Sequence, residues 1–148
     1  MKELKPIKLI PTFKDYIWGG NKLVSEYNKK CDLERVAESW ELSTHKDGES
    51  IVADGMFAGL TLSEYIKNNE YNVLWKNAEA FDKFPILIKF IDAKEALSIQ
   101  VHPDDEYSLK YNGGYGKTEM WYILDCEEDS FLYYGFKKEI SKDKFKKV

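Results

Sequence analysis

Seven short runs of β-branched and aromatic residues, separated by turn-forming residues, most constrain the fold of this chain. Runs of this composition and length are typical of β-strands, and strands this short need several neighbours to form a stable sheet. Because few helical segments lie between them, the pattern favours a mainly β, mostly antiparallel sandwich or barrel with a few short helices. The predicted strands are Ile7–Pro11, Trp40–Thr44, Ser50–Ala53, Ile86–Ile91, Ala96–His102, Glu119–Asp125 and Ser130–Gly135.

Five helical segments are predicted between or after these strands. One begins at Leu62, because Thr61 and Glu64 have the spacing of a capping box, in which each side chain binds the other residue's backbone amide. Another follows Pro103 and carries acidic residues in its first turn, where the helix dipole favours negative charge. The predicted helices are Asn21–Tyr27, Leu62–Asn68, Tyr71–Phe81, Asp104–Tyr111 and Ser141–Val148.

The composition indicates a globular protein of one domain over residues 1–148. Apolar residues make up 43% of the chain and aromatic residues 15%, which is enough for a hydrophobic core. The net charge of −4, with acids and bases mixed along the chain, predicts neither a nucleic-acid partner nor a membrane partner. The N-terminal segment lacks an apolar stretch and a small-residue cleavage site, so we expect no signal peptide. We therefore expect a cytoplasmic protein in which Cys31 and Cys126 are free thiols.

A candidate metal site follows from the alternation of side chains along two predicted strands. Gln100 and His102 point to one face of their strand, as does Ser98, and Glu119 shares a face with Lys117 on the next strand. If these faces meet, an imidazole, an amide oxygen and a carboxylate converge, and this set suits a divalent cation of the zinc class. The same spacing also fits a hydrogen-bonded Gln–His pair without a metal.

Glu106 is an alternative ligand, because it lies four residues after His102. Pro103 is expected to end the strand, and Asp104 and Asp105 to begin a helix, which would turn Glu106 away from the strand face. We therefore rank Glu106 below Glu119, and we interpret the two aspartates as a helix start.

The sequence "GKT" at Gly116–Thr118 resembles the end of a nucleotide-binding P-loop. That motif requires a glycine where Tyr111 stands, and it requires a following helix where "EMWYIL" predicts a strand. These departures argue against a P-loop, and the glycines at 113, 114 and 116 are interpreted as a flexible turn or as positions with positive φ. Lys117, next to this turn, could meet a phosphate as a point charge, or it could be an ordinary exposed lysine.

Several segments resemble type I mannose-6-phosphate isomerase in its shorter bacterial form. "LSIQVHPDDEY" followed by "GKTEMWYIL" carries the most specific part of the likeness, a Gln-x-His motif and a Lys-x-Glu-Met motif. Other matching segments are "YIWGG", "AESWELSTH", "FPILIKFIDAKEALSIQVHP" and "YYGFKKEISKDKF". The resemblance covers nearly the whole chain, and the matching segments stand in the family's order.

The resemblance implies a cupin-type (jelly-roll) β-barrel that binds one Zn²⁺ and interconverts mannose 6-phosphate and fructose 6-phosphate through a cis-enediol. By motif, Gln100, His102 and Glu119 match metal ligands. Ser98 and Lys117 match positions that line the sugar-phosphate site. Trp18 and Glu38 match residues near the pocket wall, although they could equally be a core aromatic residue and a surface or strand-end carboxylate.

The chain departs from the family pattern in its length. The family's second histidine ligand and an arginine thought important for catalysis lie in the C-terminal half, whereas this sequence corresponds to an N-terminal half only. His45, the other histidine of the chain, matches a position that does not bind the metal. The fourth ligand and the general base are therefore expected beyond residue 148.

Three kinds of function remain open from the sequence. The first is the isomerase activity of the family. The second is a truncated relative that binds sugar phosphate or metal without turnover, or one half of a split enzyme that needs a C-terminal partner or forms a homo-oligomer. The third is an iron-dependent oxygenase, but such enzymes use two histidines and a carboxylate, and Gln100 in place of a histidine argues against it.

Overall fold

The computed structural model describes residues 5–69, 73–74, 76–81 and 83–146 of the 148-residue chain. The chain forms two compact units, residues 1–97 and 98–148. The assignment of residues 1–148 to a single domain stays a prediction. Among the described residues, no helix is both long enough and apolar enough to cross a membrane.

The first unit contains the strands of the structure, and it confirms that the fold is mainly β with few short helices. Two short helices and two short 3₁₀ turns, Gly55–Phe57 and Lys76–Ala78, lie between the strands. The strands are β1 (Leu9–Ile10), β2 (Thr12–Lys14), β3 (Glu38–Leu42), β4 (Thr44–His45), β5 (Gly48–Glu49), β6 (Ile51–Val52) and β7 (Ile88–Ile91), and the helices are α1 (Lys22–Ser25) and α2 (Leu62–Asn68).

The strands pair only in antiparallel fashion, as predicted. Strand β3 is the centre of a three-stranded sheet in the order β2-β3-β7, while β1 pairs with β6 and β4 pairs with β5. The β3–β7 ladder is irregular, because Trp40 pairs with Lys89 and Leu42 pairs with the adjacent Ile88. One extra residue of β3, Glu41, is therefore accommodated as a β-bulge.

Helix α2 contributes three of the four buried residues of a hydrophobic core cluster in this unit. Its residues Leu62, Tyr65 and Ile66 are buried together with Val52 of β6. The capping box predicted from the sequence is present at its start, where the Thr61 hydroxyl accepts a hydrogen bond from the Glu64 amide and the Glu64 carboxylate accepts one from the Thr61 amide. The helix bounds are those predicted, because a start signal of this kind acts within a single turn.

The second unit contains two short helices, α3 (Asp105–Tyr111) and α4 (Lys142–Phe145). Asp104 and Ser141 cap them, each accepting a hydrogen bond from the backbone amide three residues later. Both lie within the predicted ranges Asp104–Tyr111 and Ser141–Val148. Part of the predicted helix Tyr71–Phe81 falls on residues outside the described set, and the 3₁₀ turn at Lys76–Ala78 is its described counterpart.

Three of the predicted strands, Ala96–His102, Glu119–Asp125 and Ser130–Gly135, are wrong for this structure. Within the described ranges, the last β-strand is β7, and these segments have irregular backbone. A strand exists only when its amides and carbonyls pair with those of a neighbouring strand. No described segment pairs with these three in this way. The alternating sequence pattern indicates a tendency to form a strand, but it does not show whether a neighbouring strand is present to pair with it.

The capping box gives a stability prediction for α2. Thr61→Ala removes the side-chain acceptor for the Glu64 amide, and we expect the free energy of unfolding to fall by about 1 kcal/mol. Urea denaturation followed by far-UV circular dichroism measures this change. Ser63→Ala is the matched control, because it removes a hydroxyl from the same turn that makes no capping bond. An equal loss in both variants would contradict the capping role.

Candidate metal and substrate site

The second unit brings together His102 and Glu119, two of the three predicted metal ligands. The Nε2 atom of His102 lies 2.9 Å from Oε2 of Glu119, although the residues are 17 positions apart in the chain. Both side chains are partly accessible, with exposed fractions of 26% and 25%. A nitrogen donor and an oxygen donor therefore stand side by side where a small solute can reach them.

After His102 the chain forms a short helix and then turns back towards Pro103. Pro103 follows the histidine, Asp104 caps α3, and the glycines after α3 allow the backbone to turn back. The Lys117 amide then donates a hydrogen bond to the Pro103 carbonyl at 3.1 Å. Because Lys117 is held beside Pro103, Glu119 reaches His102 two residues later.

Lys117 forms the second contact of the Glu119 carboxylate. Its Nζ atom lies 3.4 Å from Oε1 of Glu119, the oxygen that does not contact His102. Partial burial is the largest single influence and opposes ionisation of Glu119, but the charge and hydrogen bond of Lys117 and hydrogen bonds from Trp121 and His102 together lower its pKa below the ordinary value. The carboxylate is therefore in the charged form that a metal or a cationic group requires.

Gln100, the third predicted ligand, makes its hydrogen bond with Ser98 rather than with the pair. Its Nε2 atom donates to the Ser98 hydroxyl at 3.0 Å. This hydrogen bond uses the amide nitrogen of Gln100. The amide oxygen is the atom that could bind a metal ion. The predicted ligand set Gln100, His102 and Glu119 stays a prediction as a set of three.

The site contains fewer ionisable donors than a complete protein-made metal centre. Within the part of the chain that the structure describes, no three His, Cys, Asp or Glu side chains cluster in a way that could hold a metal ion. The nearest arrangement is the His102–Glu119 pair, to which Gln100 would add a neutral oxygen. Any metal held here would keep coordination positions for groups from outside residues 98–119.

An open cleft of about 530 Å³ adjoins His102 in the same unit. It is lined by Val101, His102, Pro103, Asp104, Tyr107 and Asn112. Its mixture of aromatic, apolar and polar side chains is of the kind found in small-molecule sites. The cleft therefore gives solutes access to the imidazole side of the pair.

Glu38 and Trp18, the two predicted pocket-wall residues, lie in the first unit and have structural contacts there. Glu38 is 5% exposed, and its two oxygens accept hydrogen bonds from Nε1 of Trp40 at 2.6 Å and Nζ of Lys89 at 2.8 Å. The Trp18 carbonyl accepts hydrogen bonds from the amides of Lys94 and Glu95, and its ring stacks on Tyr16. Their substrate role stays a prediction.

Sequence reasoning missed the contribution of Trp121 to this site. Its side chain donates a hydrogen bond that helps to lower the Glu119 pKa. Trp121 lies two residues after Glu119, so the alternation of side chains along a strand puts both on the same face, and the signal was present in the sequence.

The chain matches the model of the family described as phosphomannose isomerase type I, catalytic domain. The match covers residues 7–129, which include every predicted site residue. Among curated proteins, the chain is 42% identical over 132 residues to the mannose-6-phosphate isomerase ManA of Bacillus subtilis (strain 168). It is 37% identical over 131 residues to the mannose-6-phosphate isomerase of Streptococcus mutans.

These alignments cover 88% of this chain but only 41% and 40% of the two relatives. The chain thus spans about two fifths of the length of the curated relatives it matches.

Solved structures give the same result for the fold. The crystal structure of the mannose 6-phosphate isomerase from Bacillus subtilis matches with a TM-score of 0.76 and 42% identity, over 84% of this chain and 39% of that one. The apo form of the mannose 6-phosphate isomerase from Salmonella typhimurium matches with a TM-score of 0.59 and 28% identity, over 72% and 28%. The backbone of this chain is therefore similar to part of the backbone of these enzymes.

The contacts of Glu119 give a prediction about its ionisation. Lys117→Ala removes the charge and hydrogen bond that lower the Glu119 pKa, whereas the opposing effect of partial burial remains, so we expect this pKa to rise. Titration of the Glu119 carboxyl carbon by NMR measures the change. Lys137→Ala is the control, because it removes one positive charge at a different position in the chain.

The sign of the stability effect follows from the direction of the shift. Because the folded-state pKa of Glu119 lies below the unfolded value, its stabilising contribution is present above the unfolded value and is lost as pH falls through the folded value. A Glu119 pKa that is unchanged in Lys117→Ala would contradict the assigned contact.

Proposed function

The chain belongs to the type I phosphomannose isomerase family, and from that premise we propose that it contributes metal-binding and substrate-binding groups to a zinc-dependent site that interconverts mannose 6-phosphate and fructose 6-phosphate. The observation that carries the proposal is the 2.9 Å approach of His102 to Glu119 within the Gln-x-His and Lys-x-Glu-Met segments. The relatives named above are mannose-6-phosphate isomerases, and the chain is similar to part of each.

The donor chemistry of the site fits zinc. An imidazole nitrogen and a carboxylate oxygen are preferred zinc ligands, and the Gln100 amide oxygen would add a neutral donor. A zinc ion bound there would act as a Lewis acid on the oxygens of the open-chain sugar. Because catalytic zinc sites keep a position open, three ligands from this chain would leave room for substrate and for a donor from another segment.

Lys117 and Ser98 are the proposed substrate-binding residues of this unit. The Lys117 side chain has an exposed fraction of 45%, so its ammonium group is accessible to a phosphate. An ammonium group binds phosphate as a compact point charge. If a metal ion bound Glu119, the electrostatic attraction between that carboxylate and Lys117 would weaken. Ser98 presents a hydroxyl beside Gln100, where it could bind a sugar oxygen.

The exposed apolar residues of the second unit support the alternative that the site needs a further polypeptide. Met120 is 89% exposed, Tyr122 is 81% exposed and Tyr134 is 99% exposed, within segments predicted from the sequence as strands. Soluble proteins rarely leave such groups uncovered, and unpaired backbone readily accepts another strand. The proposed partner is a polypeptide equivalent to the part of the relatives that the chain does not match.

The cytoplasm is the proposed compartment. Cys31 and Cys126 are free thiols in the structure, the state that cysteines keep in a reducing environment.

Zinc binding by the chain tests the ligand assignment directly. We expect His102→Ala to weaken zinc binding by more than about 100-fold, because loss of a ligand should exceed the 10- to 100-fold cost of losing an outer partner. Competition with a chromophoric chelator measures the affinity. His45→Ala is the matched control, since His45 contacts Asp47 and Trp40 in the first unit. Equal affinities for the wild type and His102→Ala would reject the metal role.

A coupled isomerase assay tests the need for a further polypeptide. We expect the chain with zinc alone to show little turnover, and a mixture with the unmatched C-terminal segment of a relative to interconvert the two sugar phosphates. The same mixture made with His102→Ala is the control and should be inactive. Full turnover by the chain alone would contradict the partner, and an inactive mixture that nevertheless binds zinc would favour the non-catalytic relative.

A further inference from the structure

Three consecutive residues after α3 bind back onto the start and the body of that helix. The Tyr115 carbonyl accepts a hydrogen bond from the Ser108 hydroxyl at 3.1 Å. The Gly116 amide donates to Oδ1 of Asp105 at 2.8 Å, and the Lys117 amide donates to the Pro103 carbonyl at 3.1 Å. We call these three hydrogen bonds the 115–117 latch.

The middle residue of the latch has no space for a side chain. A Cβ atom on Gly116 would lie 2.5 Å from the Pro103 carbonyl oxygen and 2.7 Å from the Asp105 amide nitrogen, and both of these are backbone atoms. Backbone atoms cannot move aside as the end of a flexible side chain can, so a larger residue at 116 must push the two segments apart. Gly114, two residues earlier, has open space at the same position.

The Pro103–Lys117 bond of the latch joins the two segments that carry the converging donors. His102 immediately precedes Pro103, and Glu119 follows Lys117 by two residues, so the Pro103–Lys117 hydrogen bond fixes the distance between the two segments next to the 2.9 Å contact. Without it, bringing residues 102 and 119 together would require closing a flexible loop, which costs conformational entropy. A donor pair held in place in advance binds an ion without that cost.

We propose that Asp105 and Gly116 are positioning residues, which hold His102 beside Glu119 so that the pair can share a divalent cation. This inference rests on the proposed metal site and adds two residues that touch neither metal nor substrate. Asp105 accepts a hydrogen bond from the Gly116 amide. Gly116 has no side chain, and this allows its backbone to approach that of residues 103–105. The interpretation of Asp105 as only a helix start is therefore extended, because its carboxylate binds the returning segment as well as lying in the first turn of α3.

The zinc affinity of four variants of the full chain tests the proposal. We expect Gly116→Ala and Asp105→Ala to bind zinc about 10- to 100-fold more weakly, the range found when a residue that orients a metal ligand is lost. Gly114→Ala is the control for the first, because its Cβ meets nothing, and should bind like the wild type. Asp105→Asn keeps an acceptor oxygen for the Gly116 amide and should restore most of the affinity.

The Asp105→Asn variant also separates the latch from a helix-dipole effect. If Asp105 acts only as a negative charge in the first turn of α3, Asn should be as damaging as Ala, and this outcome would overturn the proposal. The visible absorption spectrum of bound Co²⁺ adds a readout of coordination geometry. We expect it to change in Gly116→Ala and to match the wild type in Gly114→Ala.

A measurement without metal keeps the proposal distinct from the proposed function. The Gly116 and Lys117 amides should be protected from hydrogen exchange in the wild type and in Asp105→Asn, and should exchange faster in Asp105→Ala. Wild-type protein that binds no zinc would reject the proposed function. Wild-type affinity in Gly116→Ala and Asp105→Ala, or equal amide exchange in all variants, would overturn the positioning role.

Discussion

The contact between His102 and Glu119 is the constraint on which the second unit depends. Seventeen positions separate the two residues, and the chain between them must leave and return within that length. A seven-residue helix followed by a glycine-containing turn meets this requirement. The two groups now share a hydrogen bond, and both must be deprotonated to act as metal ligands. The contact that orders the unit is therefore also the contact that a metal would replace.

The two units are stabilised by different interactions. The first unit has paired strands and a core in which Val52 and the buried face of α2 pack together. In the second unit, Ser108 is the one buried residue among residues 98–146, and side-chain-to-backbone hydrogen bonds hold the segment 103–117. Polar contacts of this kind fix geometry precisely but contribute little net free energy. The second unit thus has a well-defined local site and an uncovered apolar surface.

Local signals in the sequence predicted the structure where the interacting groups lie within one helical turn. The capping box at Thr61 and Glu64 fixed the start of α2, and Asp104 was correctly placed at the start of α3. The predictions of strands at Glu119–Asp125 and Ser130–Gly135 were wrong, because strand formation depends on a partner distant in sequence. The alternation of side chains still placed Lys117 and Glu119 on one face, and these two side chains are in contact.

The role of Gly116 could not be predicted, because it depends on the distance to another part of the chain. From the sequence, the glycines at 113, 114 and 116 look alike and indicate a flexible turn. In the structure, Gly113 has a positive φ of 70°, Gly114 has free space, and Gly116 touches the backbone of residues 103–105. Three identical residues in one turn therefore have three different physical requirements, and only coordinates distinguish them.

The pair of buried Glu38 and partly exposed Lys89 has a consequence for how sequences of this family can diverge. Loss of Lys89 alone would leave the Glu38 carboxylate in the sheet with one neutral donor, the Trp40 indole, and this is destabilising. A joint replacement that removes both charges and keeps an acceptor for the indole costs less. Intermediates with a single change would be selected against. Positions 38 and 89, which lie on adjacent strands, should therefore covary through evolution.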